Sequence, residues 1–348
     1  MLKGKSIVEN LISFSWLISV FISFCISLVT IKLSIKILDK TQTIDIPNKR
    51  SNHNVPTPKG AGIGLIASLL IIYYLFFPIN DFIFTISIFL LCVTSFINDN
   101  KQISIALRLL IQTILAFIII SYWSPLVEST LLEIFIPGWL ESIIMLLFIL
   151  WMTNLFNFMD GIDGISSVQC IIIGLGVGSC LFLSEDINKF ENVIAGFFVG
   201  SGIAFLIWNW QPAKVFLGDA GSIPIGFINA ILFLLLLKNG FWYVAIILNS
   251  YYLADSSITL IKRLLKKEKP WQAHKSHFYQ KAVMNGYSHS EVCIIIAKHG
   301  LLLIIISFLA SIMPSLIIIL FSILISSLST IYLLYYLSKT PKRNKKVI

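Results

Sequence analysis

Apolar runs of about 17 to 25 residues, separated by short polar breaks, recur from one end of the chain to the other. They lie near 7–38, 61–78, 82–97, 105–123, 140–153, 165–183, 191–208, 222–237, 241–261, 291–312 and 315–337, which makes ten or eleven segments. That is the length a helix rising about 1.5 Å per residue needs to cross a hydrocarbon core about 30 Å thick. Lipid offers exposed backbone groups no hydrogen-bond partner, so helices are expected rather than strands. The pattern predicts an all-α integral membrane protein, a polytopic bundle of about 10–11 transmembrane helices in one domain over 1–348. The first run follows Lys3 and Lys5 but is too long for a signal peptide and lacks a small-residue cleavage site, so it is read as a retained helix.

Composition agrees with that setting: 57% of residues are hydrophobic, 12% are charged and the mean hydropathy is +0.89. Cys25, Cys92, Cys170, Cys180 and Cys293 fall in or beside apolar runs without paired or metal-ligand spacing, and are read as buried thiols. Threading eleven spans puts the breaks 39–60, 98–104, 154–164, 211–221 and 262–290, and the tail from 338, on one side. Lys3, Lys5, Lys189 and Lys238 fall opposite, whereas the other Lys and Arg lie in these breaks or beside them. The positive-inside rule makes that side cytoplasmic. The net charge of +9 is therefore first a topology signal, and no nucleic acid is expected as a partner.

Every polar constellation lies on this same side. In Asn154-Leu-Phe-Asn157-Phe-Met-Asp160-Gly-Ile-Asp163-Gly164, four oxygen-bearing side chains recur every three residues and should project to roughly one side of a helical or near-helical segment. A cluster of oxygen ligands at a membrane surface suits a hard cation such as Mg²⁺ that completes its shell with phosphate and water. The loop from Asp45 to Gly62 carries Lys49, Arg50, His53 and Lys59 among prolines and glycines, a mixture suited to a phosphorylated ligand or simply a positive-inside loop. Asn98-Asp99 reads as a site element or as a cap for the next span. Phe216-Leu-Gly218-Asp219-Ala-Gly221-Ser222 reads as a ligand-approach loop or as a helix start, with Lys214 just before it.

Asp255, Thr259 and Arg263 are four apart and should share a helix face. A carboxylate at Asp255, within an apolar span, demands a partner or a cavity. His274 and His277 lack the company a zinc site needs, so phosphate contact by imidazole is the better expectation. His289 and His299 are taken as structural, and Trp208 and Trp210 as interfacial anchors.

Four motifs in order, the Arg50/His53/Pro56-Thr57-Pro58 loop, Asn-x-x-Asn-x-x-Asp-Gly-x-Asp-Gly, Phe-x-Gly-Asp-x-Gly-Ser and His274-Lys-Ser-His277-Phe-Tyr-Gln, resemble the polyprenyl-phosphate N-acetylhexosamine-1-phosphate transferases. The last motif is more similar to the O-antigen-initiating branch than to the muramoyl-pentapeptide branch. The resemblance implies transfer of a sugar 1-phosphate from a UDP-N-acetylhexosamine to undecaprenyl phosphate with release of UMP. It further implies Mg²⁺, with Mn²⁺ as a substitute, a bacterial inner-membrane location, and a place in lipopolysaccharide or other surface-polysaccharide synthesis.

By position it makes Asn157 and Asp219 the metal pair, and Asp160 and Asp163 the border of the nucleotide-sugar pocket. His274, His277, Arg50, His53, Lys59 and Lys214 would contact phosphate or sugar, with Asn98, Asn154 and Arg263 as further substrate-binding candidates. Asp99 matches the second residue of the family's Asp-Asp pair, whereas the first is Asn98 here, and an amide cannot act as a base. Either Asp99 serves, or the lipid phosphate needs no base. Two rivals remain: a transporter or flippase gripping a phosphorylated lipid carrier, and an inactive paralogue. A homodimer is compatible with the sequence.

Overall fold

The computed structural model describes residues 15–47, 55–77, 82–127, 137–183, 189–269 and 274–341. Among them the chain forms helices α1 (Ser15–Thr41), α2 (Gly62–Phe76), α3 (Phe82–Asn100), α4 (Ile105–Val127), α5 (Gly138–Phe158), α6 (Ile165–Leu181) and α7 (Lys189–Asn209). These are followed by α8 (Asp219–Lys238), α9 (Trp242–Leu265), α10 (Phe278–Met284), α11 (His289–Ile312) and α12 (Leu316–Leu337). Nine are long and apolar enough to cross a membrane, and α2 and α6 are shorter apolar helices. These eleven fall in the order and near the positions set by the hydrophobic pattern, as an all-α polytopic membrane protein requires. The seven-residue α10 is the exception.

Where the helices depart from the apolar runs, they extend into polar sequence. The run near 140–153 becomes a helix that continues through Asn154 and Asn157 to Phe158, and α8 begins at Asp219 rather than 222. Helical hydrogen bonding does not stop where hydropathy falls. The motifs therefore ride on helix ends, which have unpaired backbone groups to offer.

α8 is the centre of the bundle. Of its most apolar stretch 83% is buried, against 28% for α1, α4 and α12, and it packs on α2, α3, α5 and α9. An apolar sequence on all sides suits such an enclosed helix. Within the bundle, Asn229 on α8 donates to Asn249 Oδ1 on α9 at 2.8 Å, and Asn249 Nδ2 donates in turn to Ala245 O at 3.0 Å.

On one face the loops are tied by backbone pairing. Strands β1 (Ile44–Asp45) and β2 (Thr57–Pro58) run antiparallel, with Ile44 opposite Pro58 and Asp45 opposite Thr57. Phe216 N donates to Pro58 O at 2.8 Å, Gly60 N and Ala61 N donate to Phe216 O at 3.1 Å, and Gly62 N donates to Leu217 O at 2.9 Å. The start of α2 is thereby laid against the start of α8. A Cβ on Gly62 would collide with the backbone N and Cα of Gly221. Gly62→Ala should therefore force the two helix starts apart and cost on the order of 1–3 kcal/mol. Thermal unfolding in detergent should show the lowered midpoint, and an unchanged midpoint would refute this contact.

Candidate active site

The first turn of α8 has no side-chain cap of its own, because its N-cap residue is Gly218. The cap comes from Asp99, on the last turn of α3. Asp219 N donates to Asp99 Oδ1 and Ala220 N to Asp99 Oδ2, both at 3.0 Å, and Lys59 Nζ lies 2.9 Å from Oδ1. Gly218 has φ +73°, and a Cβ there would lie 2.6 Å from Asp99 Oδ2. Glycine is thus required twice, for the backbone conformation and for the approach of the carboxylate. Burial works against the Lys59 ammonium, but Asp99 and then Asp219 more than offset it and raise its pKa above the usual lysine value. The Asp99 side chain is fully buried with both oxygens engaged.

Asp219 points the other way and is partly exposed. Its Oδ2 accepts from Asn98 Nδ2 at 2.8 Å and from Arg108 Nη1 at 3.0 Å. Its Oδ1 accepts from Asn157 Nδ2 at 3.0 Å, and the same amide reaches Ser222 Oγ at 2.8 Å. Asn98 also accepts from Ile103 N at 3.0 Å, which fixes the turn into α4.

The four oxygen-bearing residues at three-residue spacing do not form one row, contrary to the expectation from spacing. α5 ends at Phe158, so Asn154 and Asn157 are helical whereas Asp160 and Asp163 sit on the turn beyond. Asn154 donates to Gln112 Oε1 at 2.8 Å on α4. Asp160 accepts from Ser166 Oγ at 2.6 Å. Burial pushes the Asp160 pKa up to about 7, the Ser166 hydrogen bond opposing only part of the rise.

Asp163 is turned into the protein. Its Oδ2 accepts from Ala213 N at 3.1 Å and its Oδ1 lies 3.3 Å from His289 Nδ1. Gly164 N donates to Asn209 Oδ1 at 2.8 Å and Asn209 Nδ2 to Val215 O at 2.9 Å, so two loops are sewn together here. Asp163 shares no hydrogen bond with Asn157 or Asp219.

The final His motif sits over the end of α5. His274 and His277 stack at 5.0 Å, and Phe158 stacks on His277 at 6.5 Å. His277 is almost wholly buried, with Nδ1 3.0 Å from Asp255 Oδ1. Burial, then the neighbouring His277, lowers the His274 pKa to about 4, so that ring is neutral near pH 7. Arg263 turns away from Asp255 and grips the end of its own helix, pairing with Glu268 at 2.9 Å and Lys269 O at 3.0 Å. Lys214 is exposed, 5.7 Å over the Trp208 ring. Arg50 and His53 lie outside the described residues.

Residues 81–237 match glycosyl transferase family 4. The probable undecaprenyl-phosphate N-acetylglucosaminyl 1-phosphate transferase of Bacillus subtilis is 28% identical over 302 residues, covering 82% of this chain and 83% of that protein. The undecaprenyl-phosphate α-N-acetylglucosaminyl 1-phosphate transferase of Thermotoga maritima is 27% identical over 68% of this chain and 72% of its own length. These matches support the likeness to the polyprenyl-phosphate N-acetylhexosamine-1-phosphate transferases. The phospho-N-acetylmuramoyl-pentapeptide-transferase of Gloeothece citriformis, 32% identical, covers 46% of this chain.

Three residues of this candidate site carry no motif in the sequence. Arg108 stands inside an apolar run, and a cation there was a signal in itself. Gln112 lies one helical turn further along the same run. His289, read as lacking company, meets Asp163 across the fold.

Asp160 has a stability signature with a definite sign. Its folded pKa of about 7 lies above the unfolded value of about 3.9, so the fold favours the protonated form. That contribution is complete below about pH 4 and is lost as the pH rises through about 7. Asp160→Asn, neutral throughout, should melt above wild type at pH 8 in EDTA, with the gap closing by about pH 4. A constant gap across that range would contradict the burial of this carboxylate.

Proposed function

We propose that the protein transfers an N-acetylhexosamine 1-phosphate from a UDP-sugar to undecaprenyl phosphate at the cytoplasmic face of a bacterial inner membrane, releasing UMP. The observation that carries this reading is the meeting of Asn157, Asp219, Lys59 and Arg108 where α3, α4, α5 and α8 end at one face. The Bacillus subtilis and Thermotoga maritima relatives carry names specifying undecaprenyl phosphate and N-acetylglucosaminyl 1-phosphate, so GlcNAc is the first donor sugar to test. The form of the His274–Gln280 motif favours initiation of O-antigen or a similar surface polysaccharide.

Asn157 and Asp219 fit a hard divalent ion. They are oxygen-bearing side chains 3.0 Å apart on a partly exposed face, and an amide flip would bring the Asn157 oxygen beside Asp219 Oδ1, where both could ligate one ion. Among the described residues no three His, Cys, Asp or Glu side chains cluster as a metal site, which suits an ion that takes most of its ligands from phosphate and water. Mg²⁺, or Mn²⁺ in its place, would supply neutralisation of the diphosphate oxygens when bound there.

The reaction joins two anions, so the chain must suppress their repulsion. Lys59, held charged by Asp99 and Asp219, and Arg108, anchored on Asp219, place two cations at the site. The lipid phosphate oxygen attacks the sugar-proximal phosphorus, its new P–O bond replacing the bridging P–O bond, and UMP departs with the bridging oxygen. Asp99 is not set up as a base in this scheme: two backbone N–H groups and Lys59 occupy its oxygens. With a second pKa near 6, the lipid phosphate is already largely ionised at neutral pH.

Purified protein given undecaprenyl phosphate, Mg²⁺ and a panel of UDP-N-acetylhexosamines should release UMP only with lipid present. Asp219→Ala should lower the rate at least ~100-fold. No UMP from any donor, with folded protein, would overturn the assignment. Asp99→Asn should slow turnover about 10- to 100-fold through a weakened cap. Complete loss of turnover with nucleotide binding intact would show that Asp99 is the base after all.

A further inference from the structure

Five protein groups lie within hydrogen-bond distance of the Asp255 carboxylate. It is fully buried inside α9. Phe278 N donates to Oδ1 at 3.0 Å and Tyr279 N to Oδ2 at 3.2 Å. Tyr251 Oη and Thr259 Oγ1 add contacts at 3.3 Å each. His277 Nδ1 completes the set at 3.0 Å from Oδ1. An ionised carboxylate only accepts, so in this contact the proton must be on Nδ1. That leaves Nε2 as the ring nitrogen to offer, with Gln280 closing a capping box on the His277 residue.

The same carboxylate also docks the motif. By holding Phe278 N and Tyr279 N it sets the start of α10, and Tyr279 Oη then donates to Phe158 O at 2.9 Å. Phe158 follows Asn157 directly, and its ring stacks on His277. The imidazole is thus referenced to the helix end that carries Asn157.

We propose that Asp255 is a positioning residue: it fixes the proton of His277 on Nδ1, so that Nε2 is the atom offered to the sugar-phosphate end of the donor. In both the neutral and the charged ring Nδ1 stays protonated, and any exchange of a proton with substrate occurs at Nε2. This rests on the reaction proposed above for the choice of ligand, but the tautomer does not. Asp255→Asn replaces an obligate acceptor with an amide that can donate to Nδ1, which moves the ring proton to Nε2.

The test is ¹⁵N NMR of the full-length protein labelled at histidine, in detergent at pH 8. Five histidines give few enough signals for His277 to be assigned by its disappearance in His277→Gln. Wild type should show Nδ1 protonated at His277, and Asp255→Asn should show the proton on Nε2. Affinities are read alongside: Asp255→Asn should weaken UDP-GlcNAc binding about tenfold and leave UMP binding within about twofold, because UMP lacks the sugar-phosphate end.

A bare Nδ1 in wild type overturns the proposal, and needs no variant to fold. Equal weakening of both nucleotides in Asp255→Asn also overturns it, because that is the mark of general structural damage. If wild type bound neither nucleotide, the proposed reaction would fail, and the tautomer would still decide the role of Asp255.

Discussion

One buried carboxylate holds the candidate site together. The Asp99 side chain, at the end of α3, has no exposure to solvent, and an ionised group in that position costs several kcal/mol unless its oxygens are satisfied. Here they are met by the first N–H groups of α8, with the positive end of that helix's dipole behind them, and by the Lys59 ammonium. Residues 59, 99 and 219 belong to three separate stretches of sequence, and this arrangement brings them to one place. The partly exposed carboxylate of Asp219 is aimed by the bonds that bury Asp99.

The same device recurs around the site. Asp163 takes Ala213 N, Asn209 takes Gly164 N, Gln211 takes Ser290 N, and Asp255 takes two N–H groups at the start of α10. Each is a polar side chain capturing backbone donors from a distant loop, which satisfies groups that would be costly to bury unpaired. The consequence for chemistry is a division of labour among the acids. Asp99, Asp163 and Asp255 are consumed by architecture, whereas Asp219 stays partly exposed and the half-buried Asp160 is pushed by desolvation toward its neutral form.

The bundle was legible in the sequence because the bilayer fixes helix length: eleven apolar helices lie near the runs that hydropathy marks. The residue types of the site were legible too, since oxygen-bearing and cationic side chains at a membrane surface have few other uses. Their directions were not. Three-residue spacing implied one row from Asn154 to Asp163, but the helix stops at Phe158 and the last two acids face elsewhere. Asp99 had the look of a local cap for the next span, whereas it caps a helix that begins 120 residues later. The demand of Asp255 for a partner could be read from its place in an apolar span, but the partner, His277, is supplied by the fold. Arg108 was hidden in an apolar run, and only the approach of α4 to α8 shows what it holds.

Asp99 closes the start of α8, and hydrogen exchange at two amides tests that most directly. The first N–H groups of a helix have no intrahelical acceptor and ordinarily exchange quickly. In the detergent-solubilised full-length protein, Asp219 N and Ala220 N should instead be protected, and Asp99→Leu should speed both by at least about tenfold while amides in the middle of α8 keep their rates. Rapid exchange at those two positions in wild type, or protection that survives Asp99→Leu, would contradict the account.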